Sequence, residues 1–352
     1  MPKNAGKLTK KNRTVLALLL GAAVLMCFVC IFTGSASMSL KEGVAALFGR
    51  GDSADVRIIR GIRIPRVLAA VIAGAGLSVS GLIMQTVLNN SMASPSTLGV
   101  SNAAVFGANL SIIVFAGGYL STGNNLSGYT AGANPYATGL MAFLFAVASV
   151  LLILGLCRLR AFSPNAVVLS GIAIGSVWTA ATSVLQFYAT DVGLSAAVIW
   201  NFGDLGRATY ETDLIMLATV LAGSIFFLLM SWRYNAMLSG EAAAKTMGIR
   251  VELLRFGSLL ASSVITAVCV SFLGIIGFVG IICPHIVKKL LGQDHRLAIP
   301  ASLLTGSLLL LIADAVSRNL GRGSALPVGA VTSLLGAPFF IFIIFSGREG
   351  HH

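Results

Sequence analysis

The chain has 352 residues, of which 56% are hydrophobic and 10% charged, and its mean hydropathy is +0.90. A soluble domain carries about 25% charged residues. The composition therefore excludes a soluble catalytic domain and describes a polytopic membrane protein, with room for roughly ten helical spans of about 20 residues each. The net charge of +12 is taken as loop charge that orients helices in a bilayer, not as a nucleic-acid signal.

Residues 1–14 carry Lys3, Lys7, Lys10, Lys11 and Arg13 and no acid, which places this tail in the cytoplasm. Span 1 is predicted at 15–33 and is a retained span, since no small-residue cleavage site follows it. An outside loop, 34–64, precedes span 2 at 66–88. Pro65 stands at its expected first position, where a missing N–H costs nothing. The run Ala73-Gly74-Ala75-Gly76 and Ser78 to Gly81 permits close backbone approach. A polar turn from Gln85 to Pro95 leads to span 3 at 97–117, and the uncharged loop 118–137 to span 4 at 138–157.

Arg158 and Arg160 return the chain inside. Span 5, at 165–188, follows Ser163-Pro164-Asn165 and holds the small-residue pair Gly171 and Gly175. The outside stretch 190–213 mixes apolar residues with Asp191, Asp204, Glu211 and Asp213, and predicts a short helix near the interface. Span 6 is 214–232. Spans 7 (256–273) and 8 (275–290) are joined by a glycine-broken run through Gly274, Gly277 and Gly280, whose non-helical backbone must lie within protein or face a cavity. Spans 9 (298–317) and 10 (327–346) complete an N-in, C-in chain. Fifteen of its 24 basic residues fall inside and nine outside, and six of those nine crowd around the start of span 2.

Between spans 6 and 7 lies a soluble-looking island, residues 233–255. Ser239 is expected to cap a helix of about two turns, with Glu241 and Lys245 paired four residues apart and Gly248 ending it in the left-handed conformation. A helix that short needs a docking partner, either its own protein or a cytoplasmic one. Asp314, the one carboxylate within a predicted span, stands four residues before Arg318. The pair either steadies the helix end or aims Arg318 at a partner. His285 and His295 read as hydrogen-bonded structural residues rather than haem ligands. Cys27, Cys30, Cys157, Cys269 and Cys283 read as small buried hydrophobes. There is no phosphate-binding G-x-x-x-x-G-K-[ST] loop and no zinc motif.

The chain resembles, over about residues 15–346, the permease subunit of the type II ABC importers for vitamin B12, iron–siderophores and haem. The residues that carry the resemblance run in order from Arg63-Ile64-Pro65-Arg66 through Ser80-Gly81, Met84-Gln85 and Leu98-Gly99-Val100-Ser101 to Gly240-Glu241 with Gly248. They continue with Gly277-Phe278-Val279-Gly280, Pro284-His285, Asp294-His295-Arg296, Ala313-Asp314 with Arg318, and Leu326-Pro327-Val328-Gly329. Two places depart from the family pattern: Ala325 stands where an acid is usual, and Asn90-Ser91-Met92-Ala93-Ser94-Pro95 replaces a turn that usually carries an acid before the proline.

The resemblance implies an all-α fold of ten spans forming a single transmembrane permease domain in the bacterial cytoplasmic (inner) membrane. The chain itself is not an enzyme, holds no cofactor or metal, and binds no nucleic acid. It would pair with a second permease, either a copy of itself or a paralogue, and sit among membrane lipid. Two separate subunits would bind ATP and Mg, and an extracytoplasmic binding protein would dock above. By the same resemblance Arg63, Arg66 and Arg318 receive carboxylates of the binding protein. Gly240, Glu241, Ala242, Ala243 and Gly248 couple to the ATPase, Ser163, Pro164 and Asn165 form the inner gate, and spans 5 and 10, with Gly171 and Gly175, line the path. The alternatives are a stand-alone secondary transporter or facilitator and a membrane sensor. Buried acids are scarce for the first, and the inner loops are too short for the second. The six residues 347–352, ending in His351-His352, are set aside as a tail with a possible tag remnant.

Overall fold

The computed structural model describes residues 10–34, 38–116, 134–158, 163–320 and 326–346. Fourteen helices are used below, in chain order: α1 (Lys10–Phe32), α2 (Leu40–Leu47), α3 (Ser53–Val87), α4 (Val100–Phe115), α5 (Pro135–Arg158), α6 (Pro164–Phe187), α7 (Asp191–Asn201), α8 (Tyr210–Leu229), α9 (Ser231–Met237), α10 (Glu241–Thr246), α11 (Val251–Leu273), α12 (Val279–Leu291), α13 (His295–Leu320) and α14 (Val328–Ser346). Seven of these (α1, α3, α5, α6, α8, α11 and α13) are long and apolar enough to cross a membrane, and α4, α12 and α14 are shorter apolar helices at the remaining expected spans. The fold is all-α, as expected.

The hub is α3, whose most apolar stretch is 83% buried. Its glycines explain how one helix touches so many others. A Cβ at Gly74 would meet the Gly306 backbone of α13, and one at Gly81 would meet the Gly280 backbone of α12. At Gly76 it would meet Val220 of α8 and Ile265 of α11. Ser307 adds a hydrogen bond to the Val71 carbonyl at 2.7 Å. Small residues thus let backbones approach where lipid offers no competing hydrophobic drive.

Helix α3 starts at Ser53, not at Pro65 as expected, so Arg57, Arg60, Arg63 and Arg66 all lie on it. Pro65 is tolerated because Arg57–Arg63 runs in wider π-type turns, with Ile64 N–H bonded to the Ile59 carbonyl. In that register Pro65 leaves the Arg60 carbonyl without its donor, and the Tyr210 hydroxyl supplies one at 2.6 Å. The expected outside loop also contains α2, opened by a reciprocal Ser39–Glu42 capping box.

Span 3 differs at its start. Ser94 caps a single 3₁₀ turn, Pro95–Leu98, before α4 begins at Val100. Ser94 therefore does locally what an acid at that N-cap would do. Residues 117–133 of the next loop and Ala325 lie outside the described residues. The interfacial helix expected in 190–213 is α7, capped by Thr190. Span 6 starts at Tyr210 rather than 214, which brings Glu211 and the buried Asp213 into a helix.

Helix α11 ends at Gly274, and α12 begins only at Val279, so its 13 residues make a short span. The break is enclosed by protein, as expected. The Asp204 N–H bonds the Leu273 carbonyl at 2.8 Å, Ile275 bridges Phe202, and a Cβ at Gly203 or Gly329 would strike the Ile275 carbonyl. Phe278 holds φ 65° at the head of α12 with its ring over Gly336 of α14, a left-handed conformation rare for a bulky residue.

Candidate functional site

Three places gather the residues singled out by the sequence: the loop at 233–255, the N-terminal part of α3, and α6.

In the loop, α10 has six residues and no side-chain N-cap. Ser239, expected as the cap, stands one residue too early. Gly240 occupies that position with φ 100°, which glycine adopts without a Cβ penalty. The other end forms as expected. Gly248 has φ 79°, its N–H bonds the Lys245 carbonyl at 3.0 Å, and the Ile249 N–H bonds the Ala244 carbonyl at 3.1 Å. This is the Schellman pair, sealed by buried Ile249 against buried Ala244.

The Glu241–Lys245 pair forms at 3.1 Å, and Lys245 also reaches Glu252 at 2.8 Å. The second Glu241 oxygen lies 3.0 Å from Arg255. Arg255 is buried, and its Nε donates to the Val87 carbonyl at 2.8 Å. That carbonyl belongs to the last turn of α3, where no helical donor remains. One guanidinium thus ties the loop helix to the hub helix. The hydrogen bond from Arg255, seconded by that from Lys245, holds the Glu241 carboxyl below its ordinary value, against the opposing effect of burial. Ala242 and Met247 stay exposed and Ala243 half-buried, which leaves a small, flat outer face.

Beside the N-terminal part of α3, Asp314 is fully buried between two cations: Arg66 Nε at 2.7 Å and Arg318 at 2.9 Å. Arg63 donates to the Ile31 carbonyl at 3.0 Å, and Arg318 to the Cys30 and Thr33 carbonyls at 2.8 and 2.9 Å. These carbonyls end α1, where cations suit both the unpaired oxygens and the helix dipole. Two of the six basic residues that ran against the inside-positive pattern, Arg63 and Arg66, therefore have an internal reason. The local Asp314–Arg318 pair forms as expected, with Arg66 as an additional partner. Arg63, Arg66 and Arg318 are turned inward, whereas Arg57 and Arg60 are exposed. Arg66 NH2 and Arg318 Nε have no acceptor among the described residues.

On α6, the Ser163 hydroxyl accepts the Ala166 N–H at 3.4 Å, and Pro164 occupies the first turn. Gly171 and Gly175, expected on the path, instead face the chain's own turn at 95–102. A Cβ on Gly171 would lie 2.8 Å from Leu98 Cα, and one on Gly175 3.3 Å from Gly99 Cα. Asn102 crosses to the Gly175 carbonyl at 3.1 Å. The uncovered side of α6 carries Asn165, Leu169, Ile172, Ser176, Thr179 and Ser183, at helical spacing. Sequence reasoning had no signal for these hydroxyls, because serine and threonine in a span are common on any face.

His295 is buried, with Nε2 at 2.7 Å from Thr86 and Nδ1 at 2.9 Å from Asn235, so it pins α3 and α9 to α13 as a structural residue. His285 is half-buried on α12.

A family model described as the FecCD transport family matches residues 19–346. A protein of Methanocaldococcus jannaschii provisionally named an ABC transporter permease is 42% identical, covering 98% of this chain and 97% of its own. The hemin transport system permease protein HmuU of Yersinia pestis is 34% identical over 93% of this chain and 95% of its own. A solved structure described as an inward-facing conformation of a transporter assigned provisionally to the metal-chelate ABC type superposes with a TM-score of 0.79. It shares 27% identity and covers 95% of this chain and 99% of that one.

Proposed function

Because this chain belongs to the FecCD transport family of ABC transporter permeases, we propose that it forms half of a central path for a bulky metal chelate, an iron–siderophore, haem or cobalamin. The chain is a multi-pass membrane permease and not an enzyme. Two separate subunits bind ATP and Mg. A second permease, a copy or a paralogue, completes the path, and an extracytoplasmic binding protein delivers the cargo.

The observation that carries this reading is the open face of α6. The helix is long enough to span the membrane, yet only 22% of its most apolar stretch is buried. Its exposed strip carries three hydroxyls that bond back to their own helix and the Asn165 amide, and that amide favours water over lipid. Ser163, Pro164 and Asn165 gate its inner end. Gly171 and Gly175 act from behind, holding α6 against residues 95–102. On the cytoplasmic side, Gly240, Glu241, Ala242, Ala243 and Gly248 meet the ATPase. Outside, Arg63, Arg66 and Arg318 receive the binding protein, a role for which they would have to turn from their internal partners.

The deciding experiment is uptake by the reconstituted transporter in proteoliposomes, with haem, cobalamin and ferric siderophores compared in the presence of the cognate binding protein. ATP-dependent accumulation of one chelate is expected. Uptake by the chain alone, driven by an ion gradient, would instead identify a secondary transporter.

A further inference from the structure

Beside the coupling helix, between the inner ends of α8 and α11, lies a groove of about 550 Å³. Its floor is apolar, built by Phe226, Met230, Leu254 and Gly257, and its mouth carries Arg233 and Arg250. No acid lines it. The nearby carboxylates, Glu241 and Glu252, are engaged by Arg255 and Lys245. Among the described residues neither Arg233 nor Arg250 makes an ion pair or a side-chain hydrogen bond.

The two walls match in depth. Phe226 precedes Arg233 by seven residues on one wall, and Gly257 follows Arg250 by seven on the other. Phe226 lies in the last turn of α8 and Gly257 in the second turn of α11, so each wall runs inward from its cation across a helix end. The outer flanks are lipid-facing in character, with Leu229 69% and Leu253 62% exposed. Trp232 is half exposed at the mouth, the depth where tryptophan settles at a membrane interface.

We propose that this groove binds an anionic phospholipid of the cytoplasmic leaflet, with its phosphate between Arg233 and Arg250 and the first part of an acyl chain against Phe226 and Gly257. Charge complementarity and the apolar floor together select that occupant. A basic pocket between spans at the cytoplasmic face suits an acidic headgroup, and guanidinium groups pair with phosphate through forked donors. A water-soluble subunit has no means of filling a floor at bilayer depth. Gly248 and Ile249 also border the groove, so the bound headgroup braces the turn that ends α10. This last consequence rests on the coupling role proposed for that helix; the lipid site itself does not.

The test is native mass spectrometry of the full chain with its ATPase subunits, after equilibration with equal amounts of dioleoylphosphatidylglycerol and dioleoylphosphatidylcholine. The wild type is expected to retain the anionic lipid in preference by roughly thirtyfold, the scale set by two basic residues at a membrane surface. Arg233→Gln with Arg250→Gln should bring the ratio near one, whereas Lys10→Gln with Lys11→Gln should leave it unchanged. As a second reading, added phosphatidylglycerol should raise the Tm of the wild type and not that of the double variant. An unselective wild type, or a double variant that keeps its preference, overturns the proposal. Loss of the ATPase from the double variant with the lipid ratio intact assigns the groove to the protein partner instead. If lipid selection is lost as expected while ATP-driven uptake is unchanged, the lipid site stands and the bracing of α10 falls.

Discussion

At the residue scale, the cytoplasmic loop depends on Arg255 and Gly248. Arg255→Met would leave the Val87 carbonyl without its side-chain donor and Glu241 with Lys245 as its remaining partner. A lost bond to a buried acceptor costs about 1–3 kcal/mol, so the Tm should fall and chelate moved per ATP hydrolysed should fall with it. Arg255→Lys should recover part of both, since an ammonium donates without matching the fork. The pH dependence has a definite sign. Glu241 lies below its ordinary 4.5, so its stabilisation is full above that value and is lost as pH falls through the lowered one. Lys245 lies above its ordinary 10.5, so its share is full below that value and is lost as pH rises through the raised one. Uptake relative to Glu241→Gln should therefore stay constant across neutral pH. A step in that ratio between about pH 6 and pH 8 would assign control to another titrating group, such as a histidine. Gly248→Val has open space for its side chain, so its penalty is conformational: φ 79° is a poor fit for a β-branched residue. The variant should insert and bind the loaded binding protein but lose ATP-driven uptake. Normal uptake at equal expression would detach the loop from coupling.

At the element scale, α6 has one face for its own chain and one left over. Gly171→Leu forces a side chain toward Leu98 Cα at 2.8 Å and the Thr97 carbonyl at 3.0 Å. Overpacking of this kind costs about 1–3 kcal/mol, and the expected readout is a lower Tm for the permease even without its partners. Ser176→Cys belongs to the open face and should leave the Tm unchanged. In the assembled transporter, with the native cysteines replaced, it should react with a thiol reagent or crosslink to the second permease. An unreactive thiol at this position would mean that lipid covers this face and that the path lies elsewhere. The serine spacing of span 5 was present in the sequence all along. Only the covering of the glycine side by residues 95–102 showed which serines were left exposed.

At the scale of the whole molecule, the outer rim joins helices far apart in sequence through Asp314. Asp314→Asn leaves Arg318 without its anion and Arg66 with only the longer Asp204 contact at 3.9 Å, and removal of one partner from such a buried set costs about 3–5 kcal/mol. Loosening of α1 and α13 from α3 should appear as a large drop in Tm. Arg66→Glu tests docking and stability together, so the informative measurement is reciprocal. Weakened binding of the purified binding protein, restored by an acid-to-base change in that protein, supports docking. A lower Tm with unchanged affinity would leave the arginines with the internal role alone. Wild-type docking should also weaken with salt, as charges at a rim are screened over about 8 Å at physiological ionic strength.

Local chemistry was legible in the sequence wherever a pattern is satisfied within a few residues. The apolar spans, the Glu241–Lys245 pair, the Gly248 turn and the glycine break near 274 all follow from apolar run length, helical spacing and backbone permission, whereas the cap expected at Ser239 does not form. The order of motifs was likewise enough to mark the family resemblance. What the sequence left open is which partner each group meets when that partner is far along the chain. Nothing local says that Arg255 reaches Val87, that Arg63 and Arg318 close the end of α1, that Gly171 faces Leu98, or that Tyr210 supplies the donor missing at Pro65. These depend on which helix lies beside which. In a membrane, where lipid is as apolar as the spans, that choice falls to close backbone contact and to the satisfaction of buried polar groups, and both exist only once the helices are assembled.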